Sequence, residues 1–131
     1  MRILIVEDDF ASRKFMLKFL SKFGECDITV DGMEAVDAYL MALDADTPYD
    51  LVCLDIMMPA LDGYQALKAI RDIEQERKIP EDQRAKIIMT TALNEWANVN
   101  KAFDLGCVAY AGKPIDQVKF ESVLRKLELI D

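Results

Sequence analysis

MRILIVEDDF, residues 1–10, runs four apolar residues, Ile3 to Val6, straight into three consecutive acids, Glu7, Asp8 and Asp9. An unbroken apolar tetrad of this length predicts a strand covered on both faces, as in the middle of a parallel sheet. The three carboxylates beyond it repel one another, so either water solvates them or a cation holds them.

Working outward, short runs of the same kind occur around Ile28 to Val30, at Leu51 to Leu54, at Ile87 to Met89 and, more weakly, at Val108 to Ala111. Each is of strand length. Longer amphipathic stretches separate them. Ser12 to Phe23 carries Phe15, Met16, Phe19, Leu20 and Phe23 at helical spacing, with Gly24 as its stop. Met33 to Leu43 follows an Asp31-Gly32 turn and lines up Ala35, Val36, Tyr39, Leu40 and Leu43. Gly63 to Ile73 carries Leu67, Ile70 and Ile73, and its charged continuation must break near Pro80, in a surface loop. Asn94 to Leu105 is a fourth helix ended by Gly106, and Asp116 to Ile130 a fifth with Val118, Val123, Leu124 and Leu127 along a stripe. Five strands alternating with five helices predict an α/β fold of the (βα)5 type. It is a doubly wound, five-stranded parallel sheet between two helical layers, formed by residues 1–131 as one domain. The first and third strands, apolar throughout, are expected at its centre.

The composition sets limits on function. With 131 residues, 52% of them hydrophobic and 31% charged, the chain can bury roughly two thirds of its unfolded surface. A formal net charge of −8 argues against direct binding to nucleic acid or to an anionic membrane surface. No apolar run approaches the ~20 residues of a membrane span, and the first one ends in acids, unlike a signal peptide. A cytoplasmic protein without membrane insertion is expected. Cys26, Cys53 and Cys107 are odd in number and lack C-x-x-C spacing, which reads as reduced thiols. The chain has no histidine, so its chemistry rests on carboxylates, hydroxyls and lysine.

In an open doubly wound sheet, ligands bind beyond the carboxyl ends of the strands. There the first strand delivers Glu7, Asp8 and Asp9, the third Asp55, the fourth Thr90 and Thr91, and the fifth Lys113. Each has an ordinary reading alone, as a helix cap, a strand end or a solvated lysine. Their joint placement points to a site. Carboxylates from adjacent strands form a hard oxygen site that suits Mg2+, whereas zinc would prefer nitrogen or sulfur. A phosphoryl group could sit beside the ion with Lys113 and Thr91 holding its oxygens, and Asp55 is then the natural nucleophile for an acyl phosphate.

These residues resemble the receiver domain of two-component response regulators, the CheY-like family with a flavodoxin-like fold. The resemblance covers the whole chain and rests on VEDD after the first strand, LDIMMPALDGY around Asp55, TTA after the fourth strand and GKP after the fifth. It implies that Asp55 accepts a phosphoryl group from a phosphohistidine on a partner histidine kinase or histidine phosphotransfer protein. It further implies that Asp8, Glu7, Asp55 and the backbone carbonyl of Met57 hold Mg2+. Thr91 would bond a phosphoryl oxygen beside the small Ala92, and Lys113 would pair with that group across a cis Lys-Pro bond. Thr91 and Tyr110 would form the switch that reshapes the face of the fourth helix, fifth strand and fifth helix (α4-β5-α5) toward a downstream protein target. Asp9, one place beyond the family's acid pair, reads as a helix cap. Trp96 is expected on the switching face, and the Arg13, Lys14, Lys18 and Lys22 stripe on the first helix lies where the family docks kinases. The departures are the long charged connection before the fourth strand and the apolar Met57 and Leu93, at positions that tune how fast the acyl phosphate hydrolyses.

The resulting expectation is a phosphoacceptor switch that catalyses only its own phosphorylation and dephosphorylation. A phosphorelay intermediate, or a receiver cut from a hybrid kinase, is the alternative. A phosphatase of the haloacid dehalogenase type also uses a nucleophilic aspartate, Mg2+ and lysine. It needs a second acid two residues on, where Met57 stands.

Overall fold

A computed structural model of the protein describes residues 1–58, 60–92 and 99–131, without the side chains of 92 and 99–101. The elements run β1 (Arg2–Val6), α1 (Phe10–Leu20), β2 (Glu25–Thr29), α2 (Gly32–Asp44), β3 (Leu51–Asp55), α3 (Gly63–Glu76), β4 (Lys86–Ala92), α4 (Val99–Asp104), β5 (Ala109–Lys113) and α5 (Gln117–Lys126). A 3-10 turn at Glu81–Gln83 interrupts the connection before β4. The sheet is parallel in the order β2-β1-β3-β4-β5, so β1 and β3 are the inner neighbours expected from their uniform apolarity.

Alternation along the strands divides the core in two. Leu4, Val6, Val52, Leu54, Ile87 and Met89 face α2 and α3, packing with Ala35, Tyr39, Leu67 and Ile70. Ile3, Ile5, Leu51, Cys53 and Ile88 face the other way, onto Met16, Phe19 and Leu20 of α1 and Phe120 and Leu124 of α5. All three cysteines are free thiols.

Several boundaries move from their expected places. β2 begins at Glu25 and ends at Thr29, because as an edge strand it is placed by pairing with β1, Arg2 opposite Glu25 through Val6 opposite Thr29. α1 starts two residues early, at Phe10, capped by Asp9, and ends at Leu20, four residues before Gly24. Gly24 instead lies against the N-terminus, where an added Cβ would come within 2.3 Å of the Met1 carbonyl oxygen. α5 stops at Lys126, and Val118 is exposed rather than part of its buried stripe. Of the expected fourth helix the described part is Val99–Asp104, and Gly106, at φ +105°, follows its end. Leu93 and Trp96 lie outside the described residues.

Among the described residues, one charged group is fully buried. Glu74 of α3 accepts hydrogen bonds from the Tyr39 hydroxyl, from Arg71 Nη1 at 2.6 Å and from the Ala85 amide at 3.0 Å. Arg71 continues to the Gly106 carbonyl, 2.8 Å from Nη2. No helix among the described residues is long and apolar enough to cross a membrane.

Candidate phosphoacceptor site

The site forms where β1, β3, β4 and β5 end. Val6 pairs with Leu54, so Glu7 and Asp55 leave neighbouring strands at the same level. Thr90 pairs with Asp55, and Ala92 with Lys113, which brings the fourth and fifth strand ends to the same edge. One carboxylate oxygen from each of Glu7, Asp8 and Asp55 lies within 4.8 Å of the others. Glu7 and Asp55 are only 2% and 4% exposed, whereas Asp8 is open to solvent.

Lys113 reaches across this cluster. Its Nζ lies 2.7 Å from Glu7 Oε2 and 3.1 Å from Asp55 Oδ2. The other oxygen of Asp55 accepts from the Met57 amide at 3.3 Å, so the carboxylate is held at both ends. The Met57 side chain is exposed. The Lys113–Pro114 peptide is cis, as the resemblance implied. Thr91 is fully buried one residue beyond Thr90, and its side chain hydrogen-bonds Tyr110.

Burial pushes the Glu7 carboxyl up to about 7; the charge of Asp55 adds to this, while the hydrogen bond from Lys113 opposes it. Burial alone would lower the Lys113 ammonium, but its hydrogen bond to Glu7 and the charge of Asp55 raise it above its ordinary value. Asp9 stands apart from the cluster. Its carboxylate caps α1 by accepting from the Ser12 amide at 2.8 Å, and that bond holds its carboxyl below the usual range.

The donors are all oxygen, and three acids face one lysine, which leaves negative charge that a divalent cation would neutralise. That donor set fits Mg2+ and offers no nitrogen or sulfur to a softer metal.

Two backbone contacts seat the loop after Asp55. Gly63 donates to the Ile56 carbonyl at 2.9 Å, and an added Cβ there would meet the Asp55 carbonyl oxygen at 2.4 Å. At Gly32 an added Cβ would meet the Leu61 carbonyl oxygen at 2.1 Å, so the start of α2 rests on the same loop. Reading the sequence did not single out either glycine for this purpose. Gly32 was visible only as part of an Asp-Gly turn, and Gly63 only as the start of the third helix.

A parallel (βα)5 sheet with acids, a threonine and a lysine at its carboxyl edge defines a receiver-type domain. The response regulator receiver domain matches residues 3–125, and the chain belongs to that family. The chemotaxis protein CheY of Treponema pallidum is 35% identical over 121 residues, covering 90% of this chain and 76% of its own. The receiver domain of the sensor histidine kinase PA1611 from Pseudomonas aeruginosa PAO1, with magnesium coordinated in its active site cleft, superposes with a TM-score of 0.76. That likeness is at 26% identity and covers 95% of this chain and 94% of the other. The receiver domain of Ssk1 from Saccharomyces cerevisiae, crystallised with the histidine phosphotransfer protein Ypd1, gives a TM-score of 0.80 at 27% identity, covering 96% and 87%. Other curated relatives are longer proteins, of which this chain spans 55% in one case and 12% in another.

Proposed function

We propose that this chain is a receiver module of two-component signalling in which Asp55 takes a phosphoryl group from a phosphohistidine of a histidine kinase or histidine phosphotransfer protein. The observation that carries the reading is the placement of one nearly buried carboxylate, Asp55, between the Met57 amide and Lys113, beside the oxygens of Glu7 and Asp8. A carboxylate oxygen of Asp55 attacks the phosphorus as the P–N bond breaks, and the imidazole leaves as a neutral base once protonated. Glu7, Asp8, Asp55 and the Met57 carbonyl would hold Mg2+. When bound, the ion supplies positive charge to the phosphoryl oxygens.

Lys113 is placed to shift from Asp55 to the incoming phosphoryl oxygens, and Thr91 to hydrogen-bond another of them. The hydroxyl of Tyr110 is tied to Thr91, so displacement of Thr91 is felt on β5 and, through it, on the α4-β5-α5 face that a downstream protein would read. Phe10 and Phe15 are exposed beside Arg13, Lys14 and Lys18 of α1, with Lys22 just past its end and paired to Glu121 of α5, a surface suited to the phosphodonor protein. We place residues 1–131 in one domain that acts in the cytoplasm. Its catalysis is limited to its own phosphorylation and dephosphorylation. The phosphatase alternative finds no support, since Met57 stands where its general acid would be needed.

Incubation with Mg2+ and a small acyl phosphate, followed by intact mass, tests the reading. One phosphoryl adduct on the wild type and none on Asp55→Ala is expected; an undiminished adduct on the variant would overturn it. The short share of its longer relatives that the chain spans also favours a second reading, a relay module or a receiver belonging to a larger kinase. Onward transfer from Asp55 to a second histidine protein would separate the two.

A further inference from the structure

The hydroxyl of Tyr64 lies 3.3 Å from the hydroxyl of Tyr110. Tyr64 is the second residue of α3 and is buried, while Tyr110 is half-buried in β5, its ring 6.4 Å from that of Phe103. The first turn of α3 is fixed at both levels that matter here. Gly63 sits on the Asp55–Ile56 backbone without room for a Cβ, and a capping box closes the helix end, Asp62 accepting from the Gln65 amide at 2.9 Å and Gln65 from the Asp62 amide at 3.1 Å. The Tyr64 side chain therefore projects from a helix end seated directly on the phosphoacceptor's own backbone.

Resting on the receiver reading above, we propose that Tyr64 is a positioning residue for Tyr110, binding its hydroxyl when the ring points inward and joining the backbone of Asp55 to the switch by a route separate from Thr91. The hydroxyl contact exists only while the Tyr110 hydroxyl is aimed toward α3. An outward swing of Tyr110 breaks it. A contact made in one of two states shifts the population toward that state, and by linkage a ligand at Asp55 that favours inward Tyr110 must bind more weakly once the contact is gone. Burial and the Tyr64 hydroxyl both push the Tyr110 phenol up, consistent with a hydroxyl held among neutral partners away from water.

The full chain labelled with 3-fluorotyrosine, its fluorine resonances assigned by single Tyr→Phe changes, tests this with Mg2+ alone and with Mg2+ plus beryllium fluoride as the phosphoryl mimic. Tyr64→Phe keeps the ring and its packing and removes only the hydroxyl. It is expected to shift the Tyr110 resonance in the absence of any ligand, to weaken beryllium fluoride binding by roughly two- to tenfold, the value of one hydrogen bond, and to leave Mg2+ affinity unchanged. In a Tyr110→Phe background the same change is expected to have no further effect on beryllium fluoride binding. An unmoved Tyr110 resonance, an unchanged beryllium fluoride affinity, or effects that simply add in the double variant would overturn the assignment. Wild-type chain that binds no beryllium fluoride would overturn the receiver reading with it, whereas wild-type binding that Tyr64→Phe leaves intact overturns the role of Tyr64 alone.

Discussion

Lys113 and Asp55 meet at 3.1 Å across the end of the sheet, and the same ammonium holds Glu7 at 2.7 Å. Lys113→Met takes that charge away from two carboxylates that are almost fully buried. Breaking buried pairs costs up to about 3–5 kcal/mol. We expect a lower unfolding midpoint for the variant in chelator, and a larger recovery on adding Mg2+ than the wild type shows. Equal Mg2+ effects in thermal melts of the two proteins would mean that Lys113 does not offset this charge.

The reverse substitution, Asp55→Asn, keeps an oxygen for the Met57 amide and removes one of three acids around a single lysine. Relief of that repulsion is expected to stabilise the metal-free chain by about 1–2 kcal/mol, on the scale of close like charges at partly buried sites. The same variant is expected to form no phosphoryl adduct. Denaturant midpoints in chelator measure the first effect and intact mass the second.

Asp8 and Asp9 are adjacent, yet their substitutions should diverge. Asp9→Ala removes the bond to the Ser12 amide and costs about 1 kcal/mol of stability, with Mg2+ affinity little altered. Asp8→Ala removes an exposed oxygen donor of the acid cluster, so Mg2+ affinity falls steeply with little loss of stability. Calorimetric titration with Mg2+ beside urea unfolding checks both, and equal Mg2+ affinities would show that the roles are wrongly divided.

Glu74→Ala leaves the Tyr39 hydroxyl, the Arg71 guanidinium and the Ala85 amide without their shared acceptor. A loss of about 3–5 kcal/mol is expected. Glu74→Gln, which retains an acceptor oxygen without the charge, is expected to lose less. A variant with alanine at this position that unfolds within 1 kcal/mol of the wild type, roughly the value of one hydrogen bond, would deny the network a stabilising role.

Burial pushes the Cys107 thiol up to about 11, and the Cys26 and Cys53 thiols upward as well. A raised thiol pKa means less thiolate at a given pH, so at pH 8 about one Cys107 in a thousand is reactive. Alkylation of the folded chain with iodoacetamide, followed by mass, should be slow at pH 8 and quicken as pH rises toward 11. Labelling of Cys107 as fast as in urea would contradict this.

What could be read from the sequence follows how each residue is buried. β1 and β3 are covered on both faces, so Ile3 to Val6 and Leu51 to Leu54 are written as unbroken apolar runs, and the acids at their ends fall where expected. β2 is an edge strand with one unpaired edge. Its apolar Ile28 is exposed, as is Val30 just past its end, and the polar Glu25 and Asp27 belong to the pairing, so apolarity pointed too far along the chain. Phe15 and Val118 carried the helical spacing of core residues and yet lie on the surface. The Tyr39–Glu74 and Tyr64–Tyr110 contacts join residues 35 and 46 positions apart, and no periodicity reports such a meeting. A glutamate on an amphipathic helix reads as solvated until the donors around it are seen together.

The pairing of Val6 with Leu54 also bears on which changes in chain length the protein can tolerate. Every residue from Leu51 to Asp55 is buried, so β3 has no spare position to absorb an insertion or deletion. Deleting one residue there would draw Asp55 into the interior and turn each neighbouring side chain to the opposite layer. The connection from Arg77 to Arg84, largely exposed, can lengthen or shorten without disturbing either strand. Variation in length should therefore gather before β4, while the stretch that carries the aspartate keeps a fixed count of residues.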